Sequence, residues 1–182
     1  TRILSVDFPF TIAERADAMK TGMNLLLWTA EITPSNDALI ADLKAIGFDS
    51  VEIPVFNVES LANYKHLART LKNEGLGSTA VTVVTPETNP ISSDPAVRQA
   101  AVDYLTKVLD CCAAFGCEVL CGPFHSALGH FSGTGPTSTE FGHGVDTIRT
   151  VAELAQQRKV RLAAEYLNRF ECYFLNCAED AA

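Results

Sequence analysis

The sequence predicts an α/β fold built on a parallel sheet, and two observations support this. Short apolar runs of strand character alternate with segments whose apolar residues recur at helical spacing. Glycines follow the helical segments, as is common where helices end. The alternation itself is typical of right-handed βαβ units. Five such units fit either an open doubly wound sheet or part of an eight-stranded barrel. No glycine-rich phosphate loop follows the first strand, which disfavours a nucleotide-binding open sheet.

The first three strands are predicted where apolar and β-branched residues cluster, at residues 23–28, 50–55 and 78–84. Thr33 is a plausible N-cap for the first helix, because Pro34 follows it at the first helical position. Gly47 ends that helix. The second helix is predicted over residues 57–73, with Gly75 as its stop.

The third helix begins at Asp94 and Pro95 and runs to Gly116. The remaining predicted elements are strand four at 118–122, a helix that ends at Arg158, strand five at 161–167 and the first turns of a fifth helix at 176–182. The loop predicted over residues 123–144 is rich in Gly, Ser and Thr. Its length suggests a functional loop.

Length and composition limit the possible functions. A chain of 182 residues suits one domain with a real core, and 47% of its residues are apolar. A net charge of −8 argues against a nucleic-acid partner, which needs a basic face. No stretch is long and apolar enough for a membrane span, and none is typical of a signal peptide. The six cysteines lack the spacing of a zinc site, so we expect free thiols in a reducing cytoplasm.

The stretch with the most chemistry covers residues 162–171, Leu-Ala-Ala-Glu-Tyr-Leu-Asn-Arg-Phe-Glu. An apolar strand opens there into two carboxylates, an amide and a guanidinium, as parallel α/β folds present their functional groups. Glu165 ends the apolar run, where a carboxylate is costly to bury unless it binds a metal or a partner. Glu171 suits the hydroxyls of a polar ligand, and Arg169 suits an ion pair that braces the loop. The alternative is a surface ion pair after an edge strand.

Residues 165–171 resemble the E-x-x-N-R-[FY]-E signature of the ketose 3-epimerases, a group within the xylose isomerase-like sugar isomerase/epimerase barrels. Weaker matches keep their order along the chain: Gly22-Met23-Asn24 leading to Trp28, Gly47-Phe48-Asp49, Ser93 to Arg98, and Gly122. The resemblance implies that residues 19–182 form the N-terminal portion, about five βα units, of a (β/α)8 TIM barrel. Residues 1–18 are then an N-terminal extension of unknown role.

The resemblance also implies a site. A divalent metal, Mn²⁺ with Co²⁺ or Mg²⁺ as alternatives, is held by four ligands near the ends of strands five to eight. Glu165 matches the first ligand, which is also one of two acid/base carboxylates. The other three ligands would lie beyond Ala182, which leaves two alternatives open: an active enzyme, or an incomplete and inactive fragment of one. By the same resemblance Glu171 binds substrate hydroxyls and Leu128 lines the substrate pocket.

Three further candidates come from the residues themselves, each with a structural alternative. Glu52 is predicted to end strand two and face the same mouth, or to serve in a structural pair. Trp28, at the predicted end of strand one, forms an apolar wall for the sugar or belongs to the core. His125, in the loop after strand four, approaches the substrate or faces solvent.

The function expected from these features is C3 epimerisation of free ketoses through an enediolate. One carboxylate removes the proton alpha to the carbonyl and a second returns it on the opposite face, while the metal polarises the carbonyl. The alternatives are another isomerase of the same superfamily, such as a hydroxypyruvate isomerase or a sugar-phosphate epimerase, and a non-catalytic half-barrel that self-associates. The expected partners are a small-molecule ketose and a second copy of the chain, because strands one and five would be exposed edges.

Overall fold

The computed structural model describes residues 19–181, so the extension predicted over residues 1–18 lies outside the described part. Five parallel strands form one sheet in the order β1-β2-β3-β4-β5. They are β1 Gly22–Asn24, β2 Ser50–Pro54, β3 Gly77–Val81, β4 Val119–Gly122 and β5 Arg161–Ala164. The α-helices are α1 Asp37–Ile46, α2 Leu61–Glu74, α3 Pro95–Phe115, α4 Ser138–Gln157 and α5 Ala178–Ala181, with 3-10 turns at Leu25–Leu27, Pro34–Asn36 and Pro86–Thr88. The prediction of a parallel α/β sheet of five βα units is confirmed.

The helix ends follow from their capping residues. Gly47, Gly75 and Gly116 end α1, α2 and α3 in the left-handed conformation, as predicted. The Asp94 side chain accepts the N–H of Ala96 at 2.8 Å and so begins α3.

Several predicted boundaries are wrong. Strand one stops at Asn24, because the Asn24 side chain accepts the N–H of Leu26 and starts a 3-10 turn. The predicted 123–144 loop ends earlier, because a capping box between Thr137 and Glu140 begins α4 at Ser138. Helix two begins at Leu61 rather than at residue 57, and strands three and five end three residues earlier than predicted, at Val81 and Ala164.

The two faces of the sheet differ in character. Val51 and Ile53 of β2 are fully buried and belong to the main core cluster together with Leu67 of α2 and Leu105 of α3. Since side chains alternate along a strand, Glu52 points to the opposite, inner face. The register pairs Asn24 with Glu52, Glu52 with Thr79, Val81 with Cys121 and Cys121 with Ala163 across the five strands. The outer face therefore carries the core, and the inner face carries polar and small groups.

Candidate active site

A cleft of about 580 Å³ opens on the inner face of the sheet and extends to its carboxyl edge. Each strand contributes to its wall: Asn24, Glu52, Val81, Cys121 and Ala163. Four of the six predicted site residues also line it: Glu52, Leu128, Glu165 and Glu171. The fold thus brings together carboxylates that lie more than a hundred residues apart in the sequence.

Glu165 follows directly on the last residue of β5 and is held by its backbone. Its N–H donates to the carbonyl oxygen of Gly122 at 3.0 Å, which continues the ladder of β4 and β5. Its carbonyl oxygen lies 3.0 Å from Nε2 of His125. The side chain is exposed, and its carboxylate has no hydrogen bond from the described residues. The backbone is therefore fixed while the carboxylate is available to a ligand.

Glu171 is placed by a short turn that Asn168 organises. The Asn168 amide nitrogen donates to the Glu171 carboxylate, and its amide oxygen accepts the N–H of Phe170 at 2.9 Å. The Glu171 carbonyl oxygen accepts the N–H of Gly129 at 2.9 Å. No carboxylate in the described part pairs with Arg169, so the bracing ion pair stays a prediction.

Glu52 stands in the middle of β2, not at its end as predicted. Its two carboxylate oxygens accept hydrogen bonds from the Asn24 amide at 2.6 Å and the Thr79 hydroxyl at 3.3 Å. Burial, and after it the charge of Glu52, raise the pKa of Cys121 to about 11, so that thiol stays neutral beside the carboxylate. These contacts agree with the structural alternative for Glu52, since they tie β2 to both neighbouring strands.

His125 is buried, with only 3% of its surface exposed, and it does not line the cleft. The solvent-facing alternative is therefore wrong. Its ring lies between the Glu165 carbonyl oxygen and the hydroxyl of Ser126, which is 3.0 Å from Nδ1. Burial lowers the pKa of His125, although the hydrogen bond to Glu165 opposes this. Burial thus favours the neutral form of the imidazole behind the cleft.

Trp28 and Leu128 differ in their placement. Trp28 follows a 3-10 turn rather than a strand end, is 52% exposed and lies outside the cleft lining, so it belongs neither to strand one nor to the core. Its contact with a sugar stays a prediction. Leu128 lines the cleft, and its N–H donates to the carbonyl oxygen of Val84 at 3.2 Å.

Gly122 permits a close approach of two backbones at the end of β4. Its φ of 123° is unfavourable for residues with a Cβ, and a Cβ there would lie 2.2 Å from the carbonyl oxygen of Thr82. The carbonyl oxygen of Gly122 accepts the N–H of Glu165. The close approach of Gly122 to Thr82 therefore helps to position the backbone of Glu165 at the edge of the sheet. The hydrophobic pattern of the sequence predicts only that a strand ends at Gly122. It does not predict the close contact with Thr82.

The described residues do not form a metal site by themselves. No group of three or more His, Cys, Asp or Glu side chains between residues 19 and 181 is arranged to hold an ion. Glu165 offers one hard oxygen ligand, whereas a divalent cation needs several.

Among residues 19–181 no helix is long and apolar enough to cross a bilayer.

Comparisons with known proteins agree on one architecture. Residues 40–182 match the family described as xylose isomerase-like TIM barrel. The chain is 26% identical over 164 residues to a ketose 3-epimerase of Arthrobacter globiformis, covering 90% of this chain and 56% of that protein. It is 27% identical over 165 residues to a D-psicose 3-epimerase of Agrobacterium fabrum, covering 89% of this chain and 57% of that protein.

Solved structures give the same result. A D-allulose 3-epimerase from Methylomonas sp. superposes with a TM-score of 0.81 at 23% identity, which shows the fold, over 90% of this chain and 57% of the other. A D-psicose 3-epimerase crystallised in the presence of D-fructose superposes with a TM-score of 0.79 at 26% identity, over 89% of this chain and 57% of the other. The chain thus spans little more than half the length of the relatives that it matches.

Proposed function

The chain belongs to the family of xylose isomerase-like TIM barrels, and from this premise we propose that it acts on free ketoses as a 3-epimerase. The observation that carries the proposal is the unpaired carboxylate of Glu165 at the end of β5, in one cleft with Glu171. Relatives that are named as ketose, D-psicose and L-ribulose 3-epimerases support this choice of reaction.

The proposed reaction starts with proton removal at C3 of a 2-ketose, alpha to the C2 carbonyl. Glu165 accepts this proton, because its carboxylate is exposed to the cleft and has no competing hydrogen bond from the described residues. Glu171 accepts hydrogen bonds from the sugar hydroxyls, and Asn168 orients it for that task. Inversion then requires a second acid/base group on the opposite face of the sugar, so Glu165 supplies one half of the chemistry.

The charge of the cleft supports a free sugar over a phosphorylated one. Glu52, Glu165 and Glu171 line it, and the described lining contains no Lys, Arg or His. A phosphate would be repelled by these carboxylates and would find no cationic partner. Hydroxyl groups, in contrast, donate hydrogen bonds to carboxylates without this repulsion.

We propose a divalent metal, Mn²⁺ with Co²⁺ or Mg²⁺ as alternatives, and Glu165 is the one described residue that we assign to it. This residue would supply one carboxylate ligand. The described residues do not complete a ligand set. Proton removal and hydroxyl binding in the proposed reaction are therefore assigned to the protein's own groups.

Deuterium exchange tests the proposed function directly, because it detects proton removal even without inversion. The chain is incubated with D-fructose or D-tagatose in D₂O, with and without Mn²⁺, and the C3 proton is followed by NMR. We expect loss of the C3 proton signal, with epimer formed only where a second acid/base group is present. Exchange no faster than in a protein-free blank, under every metal condition, would contradict the proposal.

We also propose that the chain forms a homo-oligomer. β1 and β5 are the two ends of the sheet order, and β5 is exposed at Arg161, Ala163 and Ala164. Open strand edges of this kind favour pairing with another chain. Light scattering at micromolar concentration should give at least the dimer mass, and a monomer would contradict this. Oligomers without C3 exchange would instead favour the non-catalytic half-barrel.

A cytoplasmic location completes the proposal. All six cysteines are free thiols, and four of them are buried. Free thiols are typical of proteins in a reducing compartment. Fractionation of the native source, with the protein detected in the membrane or secreted fraction, would argue against it.

A further inference from the structure

Three buried polar side chains behind the cleft have no role in the proposed chemistry. They are His125, Ser126 and Cys172, exposed by 3%, 3% and 2%. They form a continuous row of contacts, 3.0 Å from Ser126 Oγ to His125 Nδ1 and 3.3 Å from Ser126 Oγ to Cys172 Sγ. Polar groups removed from water are costly unless they are hydrogen-bonded, and a buried network in which every member is paired rigidifies the segments that it joins.

The direction of every hydrogen bond in the row follows from its first member. A carbonyl oxygen only accepts, so the contact between His125 Nε2 and the Glu165 carbonyl oxygen at 3.0 Å requires a proton on Nε2. The neutral imidazole then has a bare Nδ1, which accepts the Ser126 hydroxyl. Ser126 Oγ in turn accepts the Cys172 thiol, and Cys172 Sγ accepts the N–H of Phe174 at 3.3 Å.

The same short segment reaches the second carboxylate. Gly129 N–H donates to the carbonyl oxygen of Glu171 at 2.9 Å, next to Cys172. The segment from His125 to Gly129 is itself anchored, because Ala127 N–H donates to the Asn89 side chain at 3.1 Å. Residues 125–129 therefore hold the 165–172 segment at three points: behind Glu165, at Glu171 and at Cys172.

We propose that His125, Ser126 and Cys172 form a directed hydrogen-bond relay that positions Glu165 and Glu171 for the ligand. The three are positioning residues, since they touch the backbone and neighbours of the two carboxylates rather than the cleft. This inference rests on the proposed function for what the positioned groups do, but the relay itself can be measured without turnover.

The first test is the tautomer of His125, read from the nitrogen chemical shifts of the imidazole in the full chain. The relay requires a protonated Nε2 and an unprotonated, hydrogen-bonded Nδ1. Ser126→Ala should shift the Nδ1 resonance and leave the Nε2 proton in place. A neutral ring protonated at Nδ1 would lose the hydrogen bond to the Glu165 carbonyl oxygen and would donate to Ser126 instead of accepting from it, which would overturn the proposal.

The second test uses amide hydrogen exchange in paired variants. Ser126→Ala and Cys172→Ala should accelerate exchange of the amides of residues 165–172 about five- to tenfold, the effect of losing one hydrogen bond. Cys172→Ser keeps a donor and an acceptor and should restore protection. Cys111→Ala is the matched control, since that buried thiol contacts the Val58 carbonyl oxygen elsewhere in the fold. Unchanged exchange in both alanine variants, or no rescue by serine, would overturn the proposal.

The deuterium assay separates this inference from the proposed function. If the relay positions Glu165, Cys172→Ala lowers the maximal rate of C3 exchange about tenfold with little change in the ketose concentration for half-maximal rate, and Cys172→Ser restores it. A maximal rate unchanged by Cys172→Ala would contradict the positioning role. A wild-type chain without C3 exchange would contradict the proposed function, whereas the tautomer and the amide exchange would still decide the relay.

Discussion

Two glutamates of the same cleft occupy opposite situations. Glu52 lies within β2, and its carboxylate accepts hydrogen bonds from β1 and β3 through Asn24 and Thr79. Glu165 lies just beyond β5 at the sheet edge, where only its backbone is bound, to Gly122 and His125. The first carboxylate is committed to the sheet, and the second is available to a ligand.

The difference shows how one fold assigns two roles to one residue type. A half-buried carboxylate must be compensated by donors, and those donors then occupy the oxygens that a ligand would need. A carboxylate at a strand end stays solvated and needs no partner for stability. Position along the strand, more than the residue type, thus separates the structural glutamate from the candidate catalytic one.

The largest effect should come from Glu165→Gln. Glutamine keeps the size of the side chain but cannot accept the C3 proton, so the rate of C3 deuterium exchange should fall by about 10²–10⁴-fold. The free energy of unfolding in urea should stay within about 0.5 kcal/mol of wild type, because the carboxylate has no hydrogen bond to lose. Glu153→Gln, on the exposed face of α4, is the matched control for charge. Near wild-type exchange in Glu165→Gln would remove this residue from the proposed chemistry.

The reverse result is expected for Glu52→Gln. A glutamine offers one oxygen and one NH₂ where the carboxylate offers two oxygens, so either Asn24 or Thr79 loses its acceptor. We expect a loss of about 1–3 kcal/mol in the free energy of unfolding, measured in urea. Double substitution with Asn24→Ala should cost less than the sum of the single substitutions, because the two share one hydrogen bond. An unchanged free energy of unfolding in Glu52→Gln would contradict the structural role that distinguishes Glu52 from Glu165.

The smallest effect concerns Glu140, a carboxylate outside the cleft that extends the comparison. Burial alone would raise the pKa of Glu140, but hydrogen bonds from the Tyr173 hydroxyl and from Thr137 lower it overall. Since the folded pKa lies below the unfolded value of 4.5, this stabilisation is present above about pH 4.5 and is lost as the pH falls through the folded pKa.

Tyr173→Phe tests this pH dependence, because it removes the hydrogen bond of 2.5 Å from the Tyr173 hydroxyl to Glu140. Thermal unfolding followed between pH 3 and pH 7 should show a shallower acid loss of stability than wild type. An equally steep acid loss in the variant would show that the Tyr173 hydrogen bond does not set the pKa of Glu140.

Much of the scaffold could be predicted from local signals. Gly47, Gly75 and Gly116 mark helix ends because the left-handed conformation is costly for other residues. Boundaries failed where a side chain competes with the regular pattern. Asn24 turns an apolar run away from the sheet, and the Thr137 capping box starts α4 inside a Gly-rich stretch.

The candidate site was predictable only in part. Glu165 and Glu171 stand out because a charged cluster follows an apolar strand, and the fold places both in one cleft. The sequence around Glu52 does not predict its hydrogen bonds, since the partners Asn24 and Thr79 lie 28 and 27 residues away. Ser126 and Cys172 lie 46 residues apart, and no local sequence pattern predicts their contact behind the cleft.

Local signals account for the βα alternation, the glycine-terminated helix ends and the apolar run that leads to Glu165, because backbone conformation and hydrophobic periodicity act over a few residues. Which carboxylate is bound, which is free and which buried histidine lies behind it are set by the three-dimensional fold. Those outcomes depend on strand register and on contacts between distant segments, and the energy of a buried hydrogen bond exists only once both partners have been brought together.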